Sequence, residues 1–283
     1  MGIKFFSILA LSAVVFFTSC EEEPPVIKFT EKPLLDTTYY GSAPAEQQKK
    51  VLLSDITGVR CNNCPRAAET AKKIYTDNNG RVELIALYPN AGTLTFPWAN
   101  YDTLNTTDAD QLIGVKPSSL PKGMVDNVES NGNVLIDELG WNLAVTQRLA
   151  VQTPVNIELS AKWISSEDRG RIEIKAIANQ VLNTGTSWVI AILEDDIIGK
   201  QSDARVGGEN EDYEHNHVLR KVIGSPFGDK VADAFDKAGY TREKHYYIPR
   251  NKKWKAENLH CMVWVMNSTT KEVYQVKSVK FTP

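Results

Sequence analysis

The sequence has no dense basic patch and no stripe of interleaved basic and aromatic residues, and its formal net charge is -3. Both absences argue against a nucleic-acid partner, because phosphate neutralisation needs clustered Lys and Arg. No glycine-rich nucleotide loop, Ser-His-Asp arrangement or paired-carboxylate motif stands out, so no phosphoryl-transfer or hydrolase chemistry is indicated. No internal repeat is visible. Beyond the first twenty residues no apolar run is long enough to cross a bilayer. Cysteine is scarce, with four in 283 residues, so each one asks for a reason.

What is present begins with an address. Met1-Gly2-Ile3-Lys4 is a short basic segment, and Phe5 to Phe17 is an uncharged apolar run suited to a signal-peptide core. Phe17-Thr18-Ser19-Cys20 resembles the lipobox of bacterial lipoproteins, in which the cysteine is acylated and becomes the first mature residue. An ordinary signal peptide cleaved nearby is the alternative. Glu21-Glu22-Glu23-Pro24-Pro25 follows and resembles the surface-export signal of Bacteroidetes lipoproteins. Residues 1–19 are therefore expected to be a signal peptide and 20–48 a polar tether. The membrane partner is reached through lipid on Cys20.

The second feature is Cys61-Asn62-Asn63-Cys64-Pro65. An apolar stretch, Val51 to Thr57, precedes it and reads as a buried strand. Pro65 suits the first turn of a helix, and Ala67, Ala68, Ala71, Ile74 and Tyr75 give that helix an apolar face. Asn78-Asn79-Gly80 ends it, and Arg81 to Pro89 reads as a second buried strand. Strand, Cys-x-x-Cys and helix is the layout of a thioredoxin-like redox site, where the helix N-terminus favours a thiolate. Asp55 stands six residues before Cys61, the spacing of the buried acid in thioredoxins. A proline in cis opens the third strand of such folds. Pro121, just ahead of Gly123-Met124-Val125, is the candidate, with Pro117 the alternative. Asn90 to Thr107 reads as a loop over the site. A capped short helix covers Thr107 to Gly114, Ser130 to Asn133 makes a hairpin turn into a strand at Val134–Ile136, and a closing helix contains Trp141, Ala144, Val145 and Leu149. Residues 49–152 are thus expected to form a thioredoxin-like α/β domain.

After Thr153-Pro154 the period changes to two. Val155, Ile157, Leu159, Ala161 and Trp163 alternate with polar residues, as do Ile172, Ile174, Ala176 and Ala178. Ser187 to Leu193 is a further strand, and Leu259–Met266 with Val273–Phe281 forms a terminal hairpin. The pattern predicts an antiparallel, immunoglobulin-like β-sandwich over residues 153–283. Asp195 to His217 reads as a long acidic excursion and Phe227 to Ala238 as a short helix. Cys261 lies in an apolar strand and reads as a buried free thiol.

For the Cys61–Cys64 pair two readings stand open. In one, Cys61 attacks a substrate disulfide, Cys64 resolves the mixed disulfide, and Asp55 assists proton transfer. In the other the pair is a structural bridge. Arg60 and Asn62-Asn63 occupy the places of the Trp and Gly-Pro of thioredoxins, which favours the second. Cys61, Cys64, His215 and His217 are zinc-type ligands, but they fall in different domains, and no metal or cofactor is expected. The acidic residues near Glu209 lack ordered calcium-loop spacing. Protein partners are expected at the second domain, with the Asp195–His217 excursion as contact surface.

Three places together carry a family resemblance. They are Val51 to Gly58 leading into Cys61–Pro65, Asp212-Tyr213-Glu214-His215-Asn216-His217-Val218-Leu219-Arg220, and the C-terminal hairpin ending in Val276–Phe281. The chain resembles the Omp-twenty-eight-related outer-membrane lipoproteins of Bacteroidetes over most of its mature length. That resemblance implies a lipidated N-terminus at the outer membrane, a thioredoxin-like domain and a C-terminal β domain, without assigning an activity. The lipid expectation is checked by feeding cells a labelled fatty acid: the protein should carry label, and the Cys20→Ala variant should carry none.

Overall fold

The computed structural model describes residues 35–90 and 92–283; the expected signal peptide, Cys20 and residues 21–34 of the tether lie outside them. In chain order come β1 (Leu35–Tyr40), β2 (Val51–Ile56), α1 (Cys64–Asp77), β3 (Val82–Leu87), α2 (Thr107–Ile113), β4 (Lys122–Val125) and α3 (Glu138–Leu149). Strands alone follow: β5 (Val155–Ile164), β6 (Arg169–Ala178), β7 (Thr186–Glu194), β8 (Ile197–Asp203), β9 (Gly208–His215) and β10 (Val218–Ile223). The last are β11 (Asp229–Ala232), β12 (Tyr240–Pro249), β13 (Leu259–Asn267) and β14 (Val273–Lys280). The chain is mostly β, with antiparallel and mixed sheets.

β1, β12, β6 and β5 form a four-stranded antiparallel sheet. A larger sheet runs β14-β13-β7-β10-β3-β2-β4, with β11 also on β7, and β8 pairs with β9 alone. Within the large sheet β2 and β3 are parallel, joined through α1, and β4 runs antiparallel to β2. β10 lies antiparallel to β7 and parallel to β3, where Val218 meets Ala86. Strands from before and after Pro154 therefore share one sheet.

Apolar periodicity explains how the layers stack. In β7 and β13 both faces are buried, so alternate residues serve two cores. Trp188, Ile190 and Ile192 with Cys261, Val263 and Val265 pack on Val155, Ile157, Ile172 and Ile174 of the small sheet. Val189, Ala191 and Leu193 with Met262 and Trp264 face Leu52, Ile56, Ile85 and Leu87 across a second core. That second core is enclosed because the large sheet curls until β14 returns to β2. Lys50 N donates to Gln275 Oε1 at 2.8 Å, and Gln275 Nε2 donates to Gln48 O at 3.2 Å. Helices α1 and α3 cover the opposite face of β2 and β3, where Ala67, Ala71 and Ile74 meet Leu53, Leu84, Trp141 and Val145. Trp141 lies so close to β4 that a Cβ at position 123 would sit 2.3 Å from its Nε1, so the strand requires Gly123.

Local signals behave as their chemistry dictates. Thr106 Oγ1 accepts from Ala109 N at 3.0 Å at the start of α2, and Gly114 ends it at φ 72°. Elsewhere the expectations need correction. Residues 35–40 of the expected tether form an edge strand, because Asp36 and its neighbours find β12 to pair with. The Asp195–His217 excursion is ordered and contains the β8–β9 hairpin. Phe227–Ala238 contains β11 rather than a helix, since its apolar Val231 and Phe235 are drawn into the core between the sheets. Val134–Ile136 is not a full strand and contributes one bridge, Ile136 to Gly123.

The seam between β14 and β2 centres on Asp126, which is fully buried. Its Oδ1 accepts from Leu52 N at 2.9 Å, and its Oδ2 meets Lys49 Nζ at 2.8 Å and Arg148 Nε at 2.9 Å. Val273 N donates to its backbone oxygen, and Lys49 Nζ also donates to Val273 O. Burial lowers the Lys49 pKa against the pull of Asp126. Replacing Asp126 by alanine leaves two cations without their shared partner, and should cost about 3–5 kcal/mol in urea unfolding. Lys49→Met, which keeps the Arg148 pair, should cost clearly less.

Candidate functional site

Three elements converge on the Cys-x-x-Cys segment. β2 delivers it, since the chain leaves Ile56 and turns through Gly58 before α1 begins at Cys64. Cys61 N donates to Gly58 O at 3.0 Å and Cys64 N to Cys61 O at 3.2 Å, which closes the turn. Pro65 occupies the first turn of α1, where a missing N–H costs nothing. Cys61 and Cys64 form a disulfide with their Cα atoms 5.4 Å apart.

The bridge is covered. Cys61 is 2% exposed and Cys64 1%. The cover is the β8–β9 hairpin, inserted between β7 and β10 and laid across the turn. Gln201 Nε2 donates to Gly58 O and Cys61 O, both at 3.1 Å. Ser202 N donates to Val59 O at 2.8 Å and Ala204 N to Asn62 O at 3.0 Å. Arg205 pairs with Asp203 on the hairpin and Glu69 on α1. The hairpin thus satisfies backbone carbonyls that a bare turn would leave to water. From the other side, the segment after β3 packs on Arg60, whose guanidinium stacks 3.8 Å over Trp98 and donates to Phe96 O and Pro97 O. Arg66 pairs with Glu138 at 2.9 Å. Both arginines flanking the pair therefore have other partners.

Asp55 lies on the face of β2 that carries Val51 and Leu53 toward the helices. It is 6% exposed, its Oδ1 has no hydrogen-bond partner among the described residues, and burial, with Glu138 nearby, pushes its pKa up to about 7. Asp55 and Cys64 line the same cavity, about 500 Å³, between α1 and the hairpin. Pro121 immediately precedes β4, and the Leu120–Pro121 bond is cis. Pro117 falls in the loop after α2.

The two histidines do not form a strand pair. His215 closes β9, and its Nδ1 shares a 2.9 Å hydrogen bond with Tyr88 Oη. Burial, then Arg220, lowers its pKa to about 4, so the ring is neutral. His217 sits at φ 56° in the connection to β10, and its N donates to Asp195 Oδ1 at 2.8 Å. Cys261 is free and buried between the sheets, and burial raises its pKa strongly. Gln201, Arg205 and Tyr213 carry no local signal that marks them as site residues, because each reaches the turn or cavity only through the hairpin's docking; Tyr88 reaches the cavity from the end of β3.

Comparison with known proteins adds the following. The family described as Outer membrane protein Omp28 matches residues 111–283, a span that starts beyond the disulfide. HBP35 of Porphyromonas gingivalis superposes with a TM-score of 0.63 at 14% identity, covering 84% of this chain and 77% of that one. That is a likeness of fold. A domain of the outer membrane lipoprotein Omp28 from Porphyromonas gingivalis gives 0.33 at 20% identity, over 46% and 90%, too low to support an argument. No curated protein matches.

The position of Asp55 predicts a pH signature. A carboxyl whose pKa rises on folding binds its proton more tightly in the folded state. The associated stability is complete below the unfolded pKa near 3.8 and is lost as pH rises toward about 7. Asp55→Asn removes that loss. Between pH 5 and pH 8 the variant should gain about 2–3 kcal/mol over the parent in urea unfolding, and no further gain should follow at higher pH.

Proposed function

Because the chain belongs to the Omp28 family of outer membrane proteins, we propose that it is a lipoprotein held at that membrane through acylated Cys20. Its thioredoxin-like module, residues 49–152, carries Cys61–Cys64 as a structural bridge. An immunoglobulin-like β-sandwich over residues 153–283 serves as the partner-binding module.

Several features support the thioredoxin-like reading. β2, α1 and β3 form a parallel β-α-β unit with the Cys-x-x-Cys at the head of its helix, and an antiparallel β4 follows a cis proline. The sandwich reading is supported by two sheets packed face to face around one core. The small sheet's open edge is β1, added from residues 35–40 ahead of the sandwich segment, and it carries the exposed Tyr39 and Tyr40, the type of residue partner surfaces favour. The hairpin is a poorer contact surface than its sequence implies, since one side of it is taken up by the Cys-x-x-Cys turn.

The observation that carries the structural reading is the burial of both cysteines. Thiol–disulfide exchange requires a thiolate to reach a sulfur, and the hairpin lies where that approach would be made. One observation favours a second reading, a thiol–disulfide oxidoreductase using Cys61 and Cys64. The buried Asp55, with a pKa of about 7, lines the cavity beside Cys64, where a proton acceptor would be useful. That reading needs the hairpin to open.

Three measurements test the structural reading against the catalytic one. As a structural bridge, Cys61–Cys64 should resist dithiol reductants in the native protein and should stabilise it by about 2 kcal/mol, as its short loop implies. Gln201→Ala combined with Arg205→Ala should speed reduction by loosening the hairpin. The protein should reduce a disulfide peptide no faster than its Cys61→Ser variant; turnover above that control would establish the second reading instead.

A further inference from the structure

The cavity beside the bridge has a chemistry that a structural disulfide does not use. We propose that it binds an organic ammonium ion, with the charged head at Asp55 and the carbon body along α1.

Asp55 supplies the first argument. Asp55 lines the cavity, and its buried Oδ1 has no hydrogen-bond partner among the described residues; buried polar groups are rarely left so. The second argument is the sign of the surrounding charge. Asp55, Glu69, Asp195 and Glu214 line the cavity against Lys72 and Arg205. Arg205 is already engaged by Asp203 and Glu69. Burial pushes Asp195 upward, but His260 and His217 pull it down to about 2, so it stays anionic. The histidines at positions 215 and 217 do not offset this, because burial lowers both. Of the two cations at the cavity, Arg205 is paired and Lys72 stands at an exposed position of α1, so the acidic residues outnumber the positive charge that could meet an anion.

Shape gives the third argument. Tyr75, Tyr88 and Tyr213 also line the cavity, and aromatic faces attract cations, most of all alkylated ammonium groups. Ala68 and Ala71 of α1 offer small apolar wall against which a short alkyl chain fits. A volume of about 500 Å³ is within the range of small-ligand sites. β10 meets β3 at the single pair Val218 and Ala86, and Leu84, Ile85 and Ala86 of β3 line the cavity.

The test is calorimetric titration of the full chain, bridge intact, with n-butylammonium and butyltrimethylammonium, against butyrate and n-butanol as controls of matching chain length. Both ammonium probes should bind, and the controls should bind at least about tenfold more weakly, a gap of 1.4 kcal/mol. Asp55→Asn, nearly isosteric, should lose about tenfold for the ammonium probes. Lys72→Glu, at an exposed helix position, should bind them severalfold more tightly. Intact disulfide and unchanged circular dichroism establish that each variant is folded. Butyrate binding as well as the cations, no binding of either cation at millimolar concentration, or full affinity in Asp55→Asn would each overturn the proposal. Because none of these readouts involves thiol chemistry, the outcome is independent of whether the bridge is structural or catalytic.

Discussion

A single buried carboxylate holds the seam of the structure. Asp126 draws the start of β2, the end of α3 and the turn between β13 and β14 to one point, through Leu52 N, Lys49, Arg148 and the Val273 backbone. A sheet whose ends were left apart would expose the core built on Leu52, Ile85, Val189 and Met262. Bringing ions out of water is costly, and here the cost is offset by pairing every partner within one cluster. The cluster also fixes where β2 begins, and β2 carries both Asp55 and the turn that holds the disulfide. The functional region is therefore positioned by residues far from it.

The hairpin is the next constraint in that order. β7 and β10 are neighbours in the sheet, yet the chain leaves between them to build β8 and β9. Antiparallel neighbours can be joined by a tight turn, so the detour is an added element. It docks by side-chain and backbone hydrogen bonds to the Cys-x-x-Cys turn, and it converts an exposed helix head into a buried one. Burying those carbonyls without Gln201 and its neighbours would leave them unsatisfied. The same docking makes one wall of the cavity, with α1 as the other, so cover and cavity share one origin.

Much of the site was legible in the residues themselves. The pair of cysteines ahead of Pro65 and an apolar helix face, the strand before them, the glycine stop of α2 and Pro121 ahead of β4 all rest on interactions spanning a few residues. Alternation in β5 and β6 was equally plain, because each has one buried face. The β8–β9 strands were not legible, since Glu209, Glu211 and Glu214 dominate the pattern and read as solvated loop. Their pairing comes from register with β8 and from anchoring by His215 and Gln201. β11 was missed because Phe235 and Val231 suit a helix face as well as a strand.

The sequence alone determined the local units: a β-α-β segment with two cysteines at the head of its helix, and alternating strands beyond Pro154. Backbone sterics, capping and side-chain period act between near neighbours, so they are written in spacing. Only the tertiary structure decided that β3 and β10 share a sheet, that Gln201 reaches Cys61 O from 140 positions away, and that Asp55 lines a cavity between α1 and the hairpin. Those outcomes depend on which distant surfaces exclude water together, and no spacing within the chain specifies that.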